Sequence, residues 1–301
     1  MKSLHELITS AQNKKIKKRI VVASAEDEYL LPALSKLYNL GILEPILIGN
    51  KDLIIQYIRQ NKLSIPMEDI YPAHSEEESV RFSVEFIREG KADILMKGLL
   101  PTKIFIKEIL NKERGIRGER SLSHVGLFES PFYPKLFGVT DAAINITPDV
   151  TIKKHIIQNA VKVFHALGID YPKVVLLAPI EKINPKMQST VDAAEIVEEH
   201  NRKPIANCII EGPLALDIAI SGLAADHKGI QSKIAGDADI LVVPEITVGN
   251  VFYKSLTYLG GAKAAGMLIG AKAPVVLSSR SDSEESKLYS MALAYNFCTT
   301  K

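Results

Sequence analysis

The chain has 301 residues, 47 % hydrophobic and 24 % charged, an ordinary globular balance that excludes a disordered polymer. At this length it can bury roughly three quarters of its surface in one large domain or two smaller ones. Lys and Arg number 37 against 35 Asp and Glu, a formal charge of +2, so the broad basic excess of a nucleic-acid binder is absent.

From the N-terminus, the basic run 14–19 reads as a solvated approach to a strand at 19–23. Acidic Glu26, Asp27 and Glu28 then suit the start of a helix reaching Leu37, where carboxylates offset unpaired N–H groups, and Gly41 ends it. A strand at 45–49, a helix over 51–60 and a helix at 76–89 stopped by Gly90 follow. The next pair is a strand at 92–96 and a helix at 102–110. Segment 111–136 breaks the rhythm, with charge and glycine at 111–120, a strand at 122–128 and a turn-rich stretch at 130–134. Beyond it, strands are expected at 142–146, 173–177, 205–210, 239–243 and 274–277. Helices are expected at 149–167, 191–199, 217–224, 249–269 and 283–297. Asp149 opens the first of these and Gly168 closes it, Pro213 suits a first helical turn, and glycines interrupt 249–269. Strands this apolar are buried on both faces, which predicts an α/β protein of mostly parallel sheets with helices on each side. We expect a first lobe at 1–130, completed by 271–301, and a second at 131–270.

The two cysteines, Cys208 and Cys298, have neither metal spacing nor a disulfide framework, which points to a reducing compartment. No apolar run approaches the roughly 18 residues of a membrane span, and the first residues open no secretory apolar stretch. The expectation is a cytoplasmic protein that binds neither membrane nor nucleic acid. The histidines form no short metal-ligand motif, so no metal is expected. P-loop, dinucleotide and nucleophile-elbow signatures are absent.

In open parallel sheets ligands bind beyond the carboxyl ends of the strands, which ranks the loops. The richest follows the strand at 274–277, where Ser278, Ser279, Arg280, Ser281 and Asp282 precede a helix with Glu284 and Glu285 in its first turn. Arg280 can grip a phosphate with its planar fork, and Ser279 can donate to an oxygen gaining charge. The plainer alternative is a helix cap from Ser281, Asp282 or Ser283, with Arg280 paired to a surface acid. A second loop offers Lys97 leaving a strand, Gly98 permitting close approach of a ligand, and Thr102 as a helix cap. In a third, Asn250 and Lys254 share one helix face. A fourth, around Asp217, reads equally as a functional acid or a partner of Lys228 or Lys233.

Six segments tie these loops together: ADILMKG at 92–98, TDAAINITPD at 140–149, IQNAVKVFHALGI at 157–169, GPLALDIAIS at 212–221, AGDADILVVPEITVGNVFYK at 235–254 and APVVLSSRSDSEESK at 273–287. In this order and spacing, over about residues 17–297, the chain resembles the phosphate acetyl/butyryl transferase family and its butyryl branch most. The resemblance implies a two-lobed α/β fold with the active-site cleft between the lobes, usually as a homodimer. It implies reversible transfer of a short acyl group between coenzyme A and inorganic phosphate, both substrates, with no resident cofactor. A Ser-Arg pair in the acetyl branch maps onto Ser279 and Arg280. That branch also carries an aspartate as the proposed base for the thiol, and the matching position here is Ser286. Asp282 and Glu285 are the nearby carboxylates left for that role. Lys97, Gly98, Thr102, Asn250, Lys254 and Ser278 are the expected substrate-binding residues. An acetyl-specific enzyme, a two-lobed NAD(P)-dependent dehydrogenase and a non-catalytic coenzyme A-binding module are the competing readings.

Overall fold

The computed structural model describes residues 1–278 and 282–299. Ser279 and Arg280 lie outside the described residues. In chain order, α1 (His5–Lys14) leads into β1 (Lys18–Ala23), α2 (Leu30–Asn39), β2 (Leu43–Gly49), α3 (Lys51–Gln60), β3 (Ile70–Pro72), α4 (Glu76–Arg88), β4 (Ile94–Lys97) and α5 (Thr102–Ile109). Next come β5 (Ser123–Glu129), β6 (Phe137–Thr140), α6 (Val150–Ala166), β7 (Lys173–Leu177), α7 (Gln188–Arg202), β8 (Ile209–Leu214), α8 (Leu216–Ile220), α9 (Gly222–Lys228), β9 (Ile240–Val242) and α10 (Ile246–Lys254). A π-helical turn (Ser255–Leu259), β10 (Lys263–Ile269), β11 (Val275–Val276) and α11 (Glu284–Cys298) follow.

These elements form two compact units, residues 5–120 with 265–301, and residues 1–4 with 121–264. In the first, β2 lies parallel between β3 and β1, β1 parallel to β4, and β4 parallel to β11, while β10 runs antiparallel to β11. Ile20, Val21, Val22, Leu47, Ile94 and Leu95 are fully buried, as parallel strands covered on both faces require. In the second, β5 and β6 are antiparallel, then β6, β9, β7 and β8 run parallel in that order. Phe128, Val139, Val175 and Leu241 belong to its core. The α/β architecture with mostly parallel strands is the one the apolar runs predicted.

Local signals hold where chemistry is local. Asp149 caps α6 by accepting from Ile152 N at 2.7 Å, and Ser283 caps α11 by accepting from Ser286 N at 3.1 Å. Gly41, Gly90 and Gly168 follow helices with φ of +69°, +70° and +82°, a conformation in which a side chain is strained.

Four expectations need correction. The strand expected at 142–146 is a turn, and the strand lies earlier, at β6. Asp141 decides this: its carboxylate accepts from the backbone of Ala143, Ile144 and Asn145, taking donors that a strand would offer to a neighbour. The strand expected at 205–210 is displaced to β8, aligned with β7 from Lys173 against Ile209. Pro213 is therefore in a strand, not a helical first turn. Among the described strands β8 pairs only with β7, so the missing N–H of Pro213 falls on an edge. The region 249–269 is not mostly helix, because α10 ends at the π-helical turn and Gly261 turns the chain at φ +63° into β10. Finally, α1 and the short β3 form where the sequence pattern predicts no element.

Candidate active site

The order β1, β4, β11 brings three strand ends together within one unit. At the end of β4, Gly98 N donates to Ala23 O at 2.8 Å, and Leu99 N to Ser24 O at 2.8 Å. A Cβ at Gly98 would stand 2.0 Å from Ser24 O and 2.7 Å from Ala23 O. The close approach that Gly98 permits is thus that of the β1 loop backbone. Ser24 is held in turn, since its N–H donates to Ser79 Oγ at 2.7 Å and that hydroxyl donates to Ile48 O at 3.0 Å.

Lys97 is 3 % exposed, and its Nζ donates to the carbonyls of Gly98 and Leu100 at 3.0 Å each. Its ammonium therefore braces its own loop. Thr102 opens α5, but Pro101 occupies the cap position without a side-chain cap bond, and Thr102 is exposed.

At the end of β11, Ser278 is buried. Asp282 is half-buried, and its carbonyl accepts from Lys287 Nζ at 3.1 Å. Among the described candidate caps, Ser283 is the one whose side chain caps α11, and Ser281 lies outside the described residues. Its Oγ also donates to Ser286 Oγ at 3.3 Å, so the serine in the aspartate's expected place belongs to the cap. Glu285 is exposed and its Oε1 accepts from Tyr289 OH at 3.1 Å. The structure so gathers Lys97, Gly98, Ser278, Asp282 and Glu285 at neighbouring strand ends and one helix start.

Asn250 and Lys254 belong to the other unit. Both are exposed on α10, one turn apart, as their spacing predicted. The helix is capped by Glu245, which accepts from Thr247 N and Val248 N at 2.7 and 2.9 Å. Those bonds, chiefly the one from Thr247, hold the Glu245 carboxyl below its ordinary range. Gly249 lies close to the Asp141 turn, where a Cβ would be 2.7 Å from Asp141 O. Tyr253 packs edge-on against Phe128 at 4.9 Å. Asp217 makes a 2.9 Å ion pair with Lys228, the structural one of its two readings.

Sequence reasoning passed over Lys287, although the motif at 273–287 ends on it. A lysine inside the apolar run of α11 is the signal that could have found it. Among the described residues no group of three or more His, Cys, Asp or Glu is placed to hold a metal ion, and no helix is long and apolar enough to cross a membrane.

Comparison with known proteins decides the lineage. The family model described as "Phosphate acetyl/butaryl transferase" matches residues 3–86 and 73–295. The chain belongs to this family. Membership makes it an acyltransferase. The chain is 43 % identical to a phosphate butyryltransferase from Clostridium acetobutylicum, over 98 % of this chain and 97 % of that one. It is 37 % identical to a phosphate acetyltransferase from Thermotoga maritima, over 98 % and 99 % of the two chains. Among solved structures it resembles a branched-chain phosphotransacylase from Enterococcus faecalis V583, with a TM-score of 0.82 and 36 % identity over 93 % of this chain and 99 % of that chain.

Proposed function

We propose that this protein transfers a short acyl group, butyryl or a close relative, reversibly between coenzyme A and inorganic phosphate. The observation that carries this reading is the near full-length similarity to a phosphate butyryltransferase, at 43 % identity. The branched-chain phosphotransacylase supports an acyl group longer than acetyl. The phosphate acetyltransferase relative, at 37 %, keeps acetyl within the range to be assayed.

In the direction of acyl-CoA synthesis, the coenzyme A thiol gives its proton to a carboxylate, and Asp282 and Glu285 are the candidates. The thiolate attacks the acyl phosphate carbonyl and the carbon–sulfur bond forms. Ser279 donates to the oxygen that gains negative charge. The carbon–oxygen bond to phosphate then breaks, and phosphate leaves as an anion gripped by Arg280. Lys97, Gly98, Thr102, Ser278, Asn250 and Lys254 are proposed to bind and orient the substrates. Both substrates bring their own reacting groups, so the proposal includes no metal or resident cofactor. A homodimer, or a higher homo-oligomer, in the cytoplasm is part of the same reading.

Purified protein given butyryl-CoA and phosphate should release free thiol, followed with a thiol-reactive chromophore. The reverse assay should consume butyryl phosphate and coenzyme A. No thiol release with any acyl-CoA from acetyl to octanoyl would sink the reading. Coenzyme A binding by calorimetry without turnover would indicate a binding module instead.

A further inference from the structure

Lys287 lies in the first turn of α11 and is 1 % exposed. Two costs oppose a lysine there. A buried ammonium loses its hydration, and a cation in a first helical turn meets the positive end of the helix dipole. A fold that only had to fill this space would do better with an apolar side chain of similar volume. What the ammonium gains is specific. It turns back toward the start of its own helix and donates to the Asp282 carbonyl at 3.1 Å. It also stands 4.0 Å from Asp27 Oδ2 and 5.9 Å from the centroid of the Tyr29 ring. Asp27 is itself anchored, because its Oδ1 accepts from the backbone of Tyr29 and Leu30 at 2.9 and 3.0 Å. Lys287 therefore joins the loop after β1, the start of α2 and the residue that leads from the 278–282 segment into α11.

We propose that Lys287 is a positioning residue for acyl transfer, holding the main chain at Asp282 against the anchored Asp27 loop. The inference rests on the acyltransferase reading above, and the residue through which Lys287 acts is Asp282, one of the two candidates to take the thiol proton. A reacting group held in one geometry gains effective concentration, and small displacements forfeit it.

Lys287→Met keeps the length of the stem and removes the ammonium. The expected result is a fall in kcat of about 30-fold or more with KM for acyl-CoA within about threefold, since orientation rather than binding is lost. The melting temperature should stay level or rise, and Lys287→Arg should recover part of kcat. A lysine whose bonds serve only the stability of the fold predicts the reverse, a lower melting temperature with parental kcat, and that result overturns the proposal. Should Lys287→Met not fold, Asp27→Asn decides, because it keeps an oxygen to accept from Tyr29 N and Leu30 N and removes the facing charge. A fall in kcat then supports the proposal, and parental kcat overturns it. The parent protein runs alongside: a parent inactive with every short acyl-CoA removes the acyltransferase reading and this inference together. An active parent beside an equally active Lys287→Met removes the positioning role alone.

Discussion

Arg280 follows β11 in sequence, with Asp282 and the cap of α11 directly after it. If its task is to grip phosphate, charge alone will not replace it, because lysine lacks the planar fork that binds two oxygens at once. Arg280→Lys and Arg280→Ala should each lose about 2–4 kcal/mol of transition-state stabilisation, or roughly 30- to 1000-fold in kcat/KM. Thermal melts of both variants should match the parent. An arginine that merely pairs with a surface acid is worth at most about 1 kcal/mol, so near-normal kinetics in both variants would refute the phosphate clamp. Lys97 plays a different part at the same scale. Its ammonium donates to two carbonyls of its own loop, so it braces the turn at the end of β4.

At the scale of elements, the turn after β6 depends on one side chain. Asp141 is 2 % exposed and accepts from three backbone amides and from Asn145 Nδ2, the last at 2.6 Å. Asp141→Ala would strand partly buried donors, so urea unfolding should show a loss of about 3 kcal/mol. A loss below about 1 kcal/mol would mean that the turn holds without it. A second device ties the starts of β6, β7 and β9. Asp237 meets Lys135 at 2.5 Å and also pairs with Lys173, while Lys135 reaches Asp239 at 2.7 Å. The hydrogen bond from Lys135, then that from Lys173, holds the Asp237 carboxyl below its ordinary range. A carboxyl with a depressed folded pKa stabilises the fold above its unfolded value, near pH 4, and loses that contribution as pH falls through the folded value. Asp237 is 51 % exposed, so solvent screens the pair and the worth is about 0.5–1 kcal/mol. Asp237→Asn should therefore melt slightly lower than the parent at pH 7, and the two should converge as pH falls through the folded value. A difference that persists at low pH would assign the effect to packing instead.

For the whole molecule, the prediction concerns acyl length. Butyryl carries two more methylenes than acetyl, and each buried methylene is worth about 0.8 kcal/mol. Discrimination through an apolar pocket should then reach roughly tenfold, with neighbouring lengths overlapping. Measuring kcat/KM from acetyl- to octanoyl-CoA should give a broad peak near four carbons. A flat series contradicts a pocket of defined size, and a peak at two carbons moves the enzyme to the acetyl branch.

The sequence by itself determined the α/β class, the family and the loops that carry the candidate chemistry. Those features are local. Apolar runs mark buried strands, Asp149 and Ser283 announce helix starts, Gly41, Gly90 and Gly168 announce helix ends, and the motif at 273–287 is contiguous. Tertiary structure alone decided which apolar stretches pair. The stretch 263–269 is rich in small residues and reads as helix, yet β10 exists because β11 lies antiparallel beside it, with Leu268 against Val275. The α1 helix was missed because its contacts are remote. Ser10 Oγ donates to Asn296 Oδ1 at 2.8 Å, Asn296 Nδ2 donates to Leu7 O at 2.8 Å, and Tyr295 OH donates to Ile16 O at 2.5 Å. Burial of Lys287 is of the same kind. Its neighbours Asp27 and Tyr29 come from the far end of the chain, and no local pattern announces them. Propensity and capping act over a few residues, whereas strand pairing and the desolvation of a charge depend on partners that only the folded chain assembles.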